Sequence, residues 1–387
     1  MIIVKVIFFL SAFIIFWAMV GYPVSLKIIG KLYKSRKLIK NYSNTPTVTV
    51  MVVAHNEEKV ILDKLRNIIE IDYPNDKIEF IISSDNSTDN TNTIVKDFIS
   101  DNPEINIRLY EVKSRKGKTN AQNEAQKTVS TEYLVMTDAN SIMEKNSVRE
   151  LMSVFTDDNI VYVSGRLLII NKDASDVSLA ESSYWDSDLA LRETESRIQT
   201  ITAGNGAIYA CRNKDYYDFD PIACHDSAMP LYYSLQGKRA IANHDAIAYE
   251  KAGEVIEDEF GRKVRMNRII LKHILPDLRI LNFFKYKWFS YFYFGHRTCR
   301  YLLWITHLLL LVSSLALINI STFFLILFAG QIIFYILAFL KAITGARNKY
   351  LTLIYYYTVA LIAQWVGVYN ILSGKSKPFW EKAESTR

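Results

Sequence analysis

Polar side chains follow the apolar runs in the middle of the chain, and their types suit a nucleotide that carries a sugar. Residues 55–57 read His-Asn-Glu, residues 84–87 read Ser-Asp-Asn-Ser, residues 113–118 are rich in lysine, and residues 138–140 read Asp-Ala-Asn. Carboxylates can accept hydrogen bonds from a base or a ribose, and lysines can face a diphosphate. An aspartate can also hold a hard divalent cation against phosphates.

Each of these residues alone has a simpler interpretation, because a polar residue after a strand is usually a helix cap or a turn. Two nucleotide-binding motifs are excluded. Gly117-Lys118-Thr119 resembles the end of a P-loop, but residue 112, where that loop needs glycine, is Val. Gly204-Asn205-Gly206 could begin a dinucleotide fingerprint, but residue 209 is Tyr. The ordered series is therefore more informative than any one member.

The elements that position these residues alternate along the chain. β-Branched and apolar runs predict strands over residues 45–54, 77–83, 107–112 and 133–137. Helical spacing predicts helices over residues 57–71, 89–99 and 118–128. This alternation predicts an α/β fold with a parallel, doubly wound sheet. Such sheets bind ligands at the carboxyl ends of their strands, which is where the polar residues lie.

The series resembles the family 2 glycosyltransferases, which are inverting GT-A enzymes and include membrane polysaccharide synthases. The resemblance covers about residues 45–270, and more loosely the C-terminal apolar runs. It rests on six motifs, at residues 50–58, 84–91, 115–121, 137–140, 204–212 and 225–230. The family implies a GT-A Rossmann-like domain that transfers a sugar from a nucleotide donor.

The resemblance also implies roles for individual residues. Asp226 would be the catalytic base, and Asp138 and Asn140 would hold Mg²⁺ or Mn²⁺. The acceptor segment would be Gly204, Asn205 and Gly206. The donor would be bound by Ala54, Asn56, Glu57, Asp85, Lys118, Asp138, Arg262 and Arg265.

Three departures from the family pattern matter. Asn140 replaces the second aspartate of the metal motif, and an amide oxygen ligates a cation without formal charge. His225 stands where relatives often have an acidic residue. Arg262 and Met266 replace the Gln and Trp of a Gln-x-x-Arg-Trp motif. That Trp stacks on the acceptor sugar in the synthases, so its absence argues against a processive synthase.

Other interpretations stay open for two of these sites. Asp226 could instead cap a helix over residues 227–236, and Glu250 and Glu181 would then be the next candidates for the base. Arg262, Lys263 and Arg265 could form a basic helix that faces solvent or lipid headgroups.

Composition narrows the class of protein. Of the 387 residues, 50% are hydrophobic and 22% are charged, which predicts a folded, charged middle between apolar ends. The net charge of +6 is too small to indicate a nucleic-acid partner. The three cysteines have no ligand spacing, so neither a disulfide framework nor a zinc site is favoured. A thiol-reducing compartment is the default for the middle of the chain.

The ends of the chain predict membrane attachment. Residues 1–26 read as a transmembrane helix rather than a cleaved signal peptide, because Trp17, Tyr22 and Pro23 stand where a cleavage site would lie. Residues 27–44 form a basic linker, which places the N-terminus outside and the next domain in the cytoplasm. That domain spans residues 45–270. Residues 271–300, with aromatic and basic residues mixed over 283–297, predict an interfacial segment, although a ragged start to a span is the alternative.

Three further apolar runs, at residues 301–319, 322–340 and 351–372, predict three transmembrane helices over 301–372. Four crossings would leave the tail, residues 373–387, outside. Yet Lys375, Lys377, Lys382 and Arg387 make that tail basic, so either the charge rule fails there or one run does not cross.

The predicted protein is thus a multi-pass enzyme of the bacterial inner membrane with a cytoplasmic catalytic domain. It would transfer a sugar from a nucleotide-sugar donor, with a UDP-sugar favoured, to a lipid-linked or growing surface glycan, with inversion. One alternative is a processive exopolysaccharide synthase. The other is a non-catalytic, membrane-anchored protein that binds a glycan or a sugar nucleotide.

Overall fold

A mixed β-sheet forms the centre of this computed structural model, which describes residues 1–33, 36–346 and 348–379. Within these residues the sheet has eight strands in the order β3-β2-β1-β4-β7-β6-β8-β5. The strands are β1 Val48–Ala54, β2 Ile78–Ser84, β3 Ile107–Glu111, β4 Tyr133–Asp138, β5 Ile142–Met143, β6 Ile160–Ile169, β7 Ile208–Arg212 and β8 Arg239–Glu250.

The first four strands confirm the predicted parallel arrangement. β1 pairs in parallel with both β2 and β4, and β2 pairs in parallel with β3. The register sets Ala54 opposite Ser84 and Val53 opposite Asp138, so these strands end at one edge. The sheet is not parallel throughout, because β7 pairs antiparallel with β4. The sequence prediction stopped at the fourth strand and missed this change of direction.

Amphipathic helices cover both faces of the sheet. β1, β2 and β4 present apolar side chains on both faces of the sheet, and these strands are almost wholly buried. The apolar faces of the helices pack on them from each side. The helices of this region are α2 Ile61–Ile69, α3 Thr91–Asp101, α4 Lys118–Gln126, α5 Ser147–Ser153, α6 Asp176–Ile198, α7 His225–Leu235, α8 Ile256–Met266 and α9 Ile270–Ile274. Short 3₁₀ turns lie at Asn75–Lys77, Asn213–Asp215 and Leu278–Leu281.

Long apolar helices lie at both ends of the chain. α1 runs over Ile2–Leu32, so the N-terminal helix continues six residues into the predicted basic linker. The C-terminal helices are α10 Phe283–Tyr286, α11 Trp288–Tyr301, α12 Leu303–Leu317, α13 Thr322–Thr344 and α14 Lys349–Leu372. In the described chain, α1, α13 and α14 are each long and apolar enough to cross a membrane, and α11 with α12 would make a fourth span.

The predicted interfacial segment is broken rather than one continuous helix. α10 and α11 meet at Lys287, whose backbone has a positive φ of 53°. α11 then bends by 63° into α12, and π-helical turns lie at Tyr293–Thr298 and, in α1, at Trp17–Gly21. Aromatic residues of α11 pack against α1, as Tyr22 and Tyr291 do with ring centroids 5.7 Å apart.

The last apolar helix, α14, contacts the sheet domain along its whole length. Thr352 near its start donates to Asp176 at 3.0 Å, and Tyr356 donates to Glu259 at 2.7 Å. Gly367 near its end lies against Asn267 of the domain. The following residues continue across the domain, since the Ser376 hydroxyl donates to the Arg268 carbonyl at 3.3 Å.

The described part of the tail ends on the lysine-rich loop. Phe379 lies under the Arg115 guanidinium, with 4.8 Å between the guanidinium carbon and the ring centroid. A Cβ on Gly117 would lie 2.5 Å from the Pro378 carbonyl oxygen. Residues 34, 35, 347 and 380–387 lie outside the described residues, so the basic positions Lys34, Arg347, Lys382 and Arg387 receive no structural account.

Candidate active site

The lysine-rich loop is held in place by the carboxylate of Asp85, the first residue after β2. Asp85 is only 2% exposed. Its two carboxylate oxygens accept from the backbone N–H groups of Lys116, at 3.1 Å, and Gly117, at 2.8 Å. Gly117 has φ +95°, a conformation that favours glycine. The contact explains how a residue of one strand end can position Lys118, which begins α4.

The turn after β1 is joined to the turn after β2. The Ala54 carbonyl accepts from the Asp85 N–H at 2.8 Å. Asn56 has a positive φ of 54°, which asparagine tolerates, and its Oδ1 accepts from the Thr88 N–H at 2.7 Å. The Glu57 N–H donates to the Thr91 hydroxyl at 2.8 Å. Ala54, Asn56, Glu57 and Asp85 therefore form one rim at the sheet edge.

Lys118 and Asp138 form an ion pair at the centre of that edge. The Lys118 ammonium also donates to the Gly206 carbonyl at 3.3 Å. Burial lowers the pKa of Lys118, but the charges of Asp138 and Asp226 raise it by more, so the net pKa is raised. A Cβ on Gly206 would lie 3.1 Å from Lys118 Nζ and 3.5 Å from Asp138 Oδ2, so glycine leaves both groups accessible.

The metal prediction rests on the turn that follows β4. Asp138 and Asn140 share this turn, which is closed by the Ser141 N–H donating to the Asp138 carbonyl at 3.2 Å. Across the described ranges, no three His, Cys, Asp or Glu side chains form a group that could hold a cation. The Asp138 carboxylate is 31% exposed and already holds a cationic partner, Lys118. These residues fit a cation that takes its remaining ligands from substrate phosphates, as Mg²⁺ commonly does.

Asp226 reaches the same group from α7. The Gly204 N–H donates to the Asp226 carbonyl at 2.7 Å, which joins the predicted acceptor segment to the predicted base. α7 begins at His225 after an N-cap at Cys224, so Asp226 lies inside the first turn and is not the capping residue. The alternative interpretation of Asp226 as a helix cap is therefore wrong.

Burial and the surrounding charges set the pKa of Asp226. Burial raises the pKa of its carboxyl group, and the nearby charge of Asp138 adds to that increase. Lys118, Arg192 and Arg297 lower the pKa, but the net pKa remains raised. A raised pKa makes the carboxylate a stronger proton acceptor than an exposed aspartate.

Two residues of the predicted motifs, Asn205 and His225, are buried and hydrogen-bonded inside the domain. Asn205 is 1% exposed, and its amide donates to the Gly165 carbonyl at 2.7 Å while its Oδ1 accepts from the Ile208 N–H at 3.2 Å. His225 lies 2.8 Å from Gln122 and 2.9 Å from the Tyr216 hydroxyl. Burial and the charge of Lys118 lower the pKa of His225 to about 3, so it is neutral.

Comparison with known proteins identifies this arrangement. The family model described as Glycosyl transferase family 2 matches residues 49–217, which carry β1–β4, the lysine loop and the Gly204–Gly206 segment.

Residues 49–217 are similar to the family 2 glycosyltransferase domains.

Relatives of the chain carry related names. The probable glycosyltransferase YdaM of Bacillus subtilis is 31% identical over 134 residues, which are 34% of this chain and 32% of YdaM. A poly-beta-1,6-N-acetyl-D-glucosamine synthase of Staphylococcus epidermidis is 22% identical over 276 residues, which are 68% of this chain and 65% of the synthase. The chain thus spans under two thirds of the length of each relative.

A solved structure shares the fold over almost the whole chain. The mannosyltransferase PcManGT from Pyrobaculum calidifontis, in complex with GDP-Man and Mn²⁺, superposes with a TM-score of 0.72 at 20% identity. The match covers 96% of this chain and 99% of that one. The fold of this chain is therefore GT-A with apolar helices at both ends.

The two arginines predicted to bind the donor lie in different surroundings. Arg262 forms ion pairs with Glu181 at 2.8 Å and Glu259 at 2.7 Å, so the structure brings it into a carboxylate cluster. Burial and the charges of Arg262 and Arg268 lower the pKa of Arg265 to about 10, while the charge of Asp138 opposes that decrease.

A buried lysine that the sequence analysis missed supports the metal turn. Lys64 of α2 is wholly buried and donates to the Thr137 hydroxyl at 2.9 Å and the Ser141 carbonyl at 2.5 Å. Burial lowers its pKa to about 7, against the opposing charge of Asp138. A lysine on the apolar face of an amphipathic helix was the signal that could have revealed it.

A second missed group joins the acceptor segment to the membrane-facing helices. His296 lies 2.8 Å from Asp188 and 2.7 Å from Glu195, and the Tyr22 hydroxyl of α1 donates to Glu195 at 2.6 Å. Asp188 pairs with Arg192 at 2.6 Å, and Arg192 donates to the Gly204 carbonyl. These buried contacts tie α1 and α11 to the backbone beside Asp226.

Proposed function

We propose that this protein is a membrane-bound inverting glycosyltransferase. It transfers a sugar from a nucleotide-sugar donor, with a UDP-sugar favoured, to a lipid-linked or growing surface glycan. The observation that carries the proposal is the convergence of the Lys118–Asp138 pair, the Gly204–Gly206 segment and Asp226 at one sheet edge. A protein that only binds a sugar nucleotide has no need of a half-buried carboxylate with a raised pKa beside its lysine.

The donor would lie along the rim of the sheet. The turn with Asn56 and Glu57 would meet the nucleoside, and Lys118 and Arg265 would face the diphosphate. Asp85 would act through the loop, because both of its carboxylate oxygens accept from loop N–H groups. Arg262 would contribute indirectly, since its ion pairs with Glu181 and Glu259 fix the helix that carries Arg265.

The transfer would follow from the positions of the cationic groups and the base. The acceptor hydroxyl attacks the anomeric carbon from the face opposite the diphosphate, and Asp226 takes the hydroxyl proton. The bond from the anomeric carbon to the diphosphate oxygen breaks, and its electron pair leaves with the diphosphate. Lys118 and Arg265 stabilise the charge that develops there. One displacement inverts the anomeric centre without a covalent intermediate.

Asp138 and Asn140 are the residues that would hold Mg²⁺ or Mn²⁺. The cation would add positive charge beside the leaving diphosphate. The Mn²⁺ complex of the mannosyltransferase that shares this fold supports this assignment. Lys118 would then move from Asp138 toward the phosphates.

A processive synthase is the second candidate. The S. epidermidis relative, named as a poly-beta-1,6-N-acetyl-D-glucosamine synthase, supports it over 68% of the chain. Met266, in place of the family Trp, argues against it, because a methionine offers no ring face to an acceptor sugar. The apolar terminal helices support a multi-pass location in a bacterial inner membrane, with the domain cytoplasmic.

The test is a panel of UDP- and GDP-sugars incubated with the full-length protein in detergent, with Mg²⁺ or Mn²⁺. We expect one donor to be turned over, and product length will distinguish single addition from polymerisation. Asp138→Ala should abolish transfer, whereas Asn140→Asp should keep it and tighten Mn²⁺ binding, because a charged oxygen binds a hard cation better.

Asp158→Ala is the control, because its carboxylate is 94% exposed and should not affect the rate. Full activity in EDTA would exclude the metal role. Donor binding without any turnover would instead favour a non-catalytic binding protein.

A further inference from the structure

A buried histidine of α11 faces two carboxylates of the sheet domain. His296 is 2% exposed, and its two ring nitrogens lie 2.8 Å from Asp188 and 2.7 Å from Glu195. Both carboxylates belong to α6 and are wholly buried. They lie two turns apart on one face of that helix, so a single side chain can lie between them. The contact joins the C-terminal apolar helices to the domain.

Each carboxylate is connected to the backbone just before the proposed acceptor site. Glu195 accepts from the Thr202 N–H at 3.2 Å. Asp188 pairs with Arg192 at 2.6 Å, and Arg192 donates to the Gly204 carbonyl. The histidine therefore contacts both of the carboxylates that fix this backbone.

The same backbone leads directly to the proposed base. The Gly204 N–H donates to the Asp226 carbonyl at 2.7 Å. A Cβ on Gly204 would collide with the Tyr162 hydroxyl, so the backbone is closely packed on that side. Tyr162 is itself wholly buried and stacks on Tyr209, with ring centroids 5.3 Å apart. A shift of Gly204 would therefore move the backbone of Asp226 as well.

Docking of one helix on another does not by itself account for these buried charges. Apolar residues of similar volume often stabilise a protein as well as a buried ion pair does, because charges are costly to remove from water. Burial raises the pKa of Asp188, but the charge of Arg192 and two charges from α11 lower it by more, so the net pKa lies well below its usual range. The interior thus keeps a charged carboxylate at a cost, which points to a role beyond packing.

We propose that His296 is a positioning residue for the transfer reaction. The inference rests on the proposed glycosyltransferase function and adds a residue that acts through others. Its two carboxylate partners fix the backbone from Thr202 to Gly204. That backbone in turn holds Asp226 where it can accept the proton of the acceptor hydroxyl. Docking of α11 on α6 is then a step in assembling the active site.

The kinetic test follows release of nucleoside diphosphate from the UDP- or GDP-sugar that the donor panel selects, with the full-length protein in detergent. His296→Gln cannot donate to both carboxylates from its two polar atoms, because one of them is an acceptor. The rate at saturating donor should fall at least about tenfold, since a misplacement of roughly 1 Å can cost about 10²-fold. Donor KM should stay within about twofold, because the residue adds nothing to donor binding.

Tyr291→Phe is the matched control, because it removes a 2.5 Å hydrogen bond that joins α11 to Ser25 of α1 rather than to α6. Its rate should equal that of the wild type. Asp188→Asn keeps the size of its side chain and covers the case in which His296→Gln fails to fold. It should also lower the rate without raising donor KM.

A double variant tests whether these residues act in series. Adding Asp188→Asn to Arg192→Met should lower the rate no further than Arg192→Met alone, because Asp188 acts through Arg192. Losses that multiply would overturn the proposal, as would rates for His296→Gln and Asp188→Asn that equal the wild-type rate.

A second measurement separates this inference from the proposed function, because it needs no donor. Hydrogen–deuterium exchange of the full-length protein reports on the N–H groups of Thr202 and Gly204, which are both hydrogen-bonded. Both should exchange at least about tenfold faster in His296→Gln than in Tyr291→Phe, with β1 equally protected in the two variants. Faster exchange in a protein that turns over no donor would support the positioning contacts while the proposed function fails. Equal exchange in the two variants would overturn the inference.

Discussion

Replacing Asp226 with asparagine separates catalysis from stability. Asp226→Asn keeps the size of the side chain but removes the proton acceptor. General-base catalysis typically contributes about 10²–10⁴-fold, so transfer should fall by roughly that factor. At about 1.36 kcal/mol for each tenfold change, the loss is about 2.7–5.4 kcal/mol of transition-state stabilisation.

The structure predicts a much smaller effect on folding. The N-cap of α7 is Cys224, so no capping bond is lost when residue 226 changes. A carboxylate in the first turn gains about 0.3–1 kcal/mol from the helix dipole. Burial raises the pKa of Asp226, which means that the charged form is already penalised in the folded protein. The free energy of unfolding should therefore change by less than about 1 kcal/mol.

The assay compares initial transfer rates at saturating donor for wild type, Asp226→Asn and Asp218→Asn. Asp218 is a matched control, because its carboxylate is 53% exposed and lies in the segment before α7. Donor affinity, measured by titration, should be nearly unchanged in all three. A rate for Asp226→Asn within threefold, roughly, of wild type would refute the assignment. Glu250 and Glu181 would then be tested as the base.

Two further predictions concern the lysine loop. Lys118 lowers the pKa of Asp226, so Lys118→Met should raise that pKa and move the acidic limb of the pH–rate profile to higher pH. The donor KM should also rise. An acidic limb at the same pH in both proteins would mean that another group titrates. Gly117→Ala should lower the free energy of unfolding by about 1–3 kcal/mol, because alanine is strained at a positive φ. The added methyl group should also displace Pro378. Donor KM should therefore rise more in the full chain than in a chain that ends at residue 373. Equal increases in both chains would show that the Pro378 contact has no role.

The strand ends were predictable because burial has a clear sequence signal. The runs that became β1, β2 and β4 are rich in β-branched and apolar residues, and buried parallel strands read this way. Once these strands are parallel and adjacent, Asp85 and Asp138 must lie at the same edge. That geometric consequence, rather than any single motif, explains why the sequence predicted a common site.

The tertiary contacts had no comparable signal. His296 meets Asp188 and Glu195 about a hundred residues earlier in the chain, and only docking of α11 on α6 brings them together. The antiparallel pairing of β7 with β4 was missed because Ile208–Arg212 is too short to show a clear hydrophobic periodicity. α1 extends beyond its predicted end at residue 26 because lysines such as Lys27 and Lys31 are good helix formers and do not terminate a helix.

The contact between the tail and the lysine loop has a consequence for the route of the chain through the bilayer. Phe379 and Gly117 lie together, so the chain must return to the side of the sheet domain after leaving it. If the apolar helices cross a bilayer, an even number of crossings would then follow the domain. Phe8 packs with Leu317 and Phe324, which places the α12–α13 turn beside the N-terminal end of α1 and away from the domain.

We infer that α12 leaves the domain side and α13 returns to it, where Lys341 pairs with Asp176 at 3.1 Å. α14 contacts the domain through Thr352 near its start and Gly367 near its end, so it would then lie along the membrane surface and make no crossing. With three crossings in total, Met1 and the described end of the tail at Phe379 would lie on opposite faces of the membrane. Lys375 and Lys377 of the tail would then share one face with the basic linker, as the positive-inside rule expects.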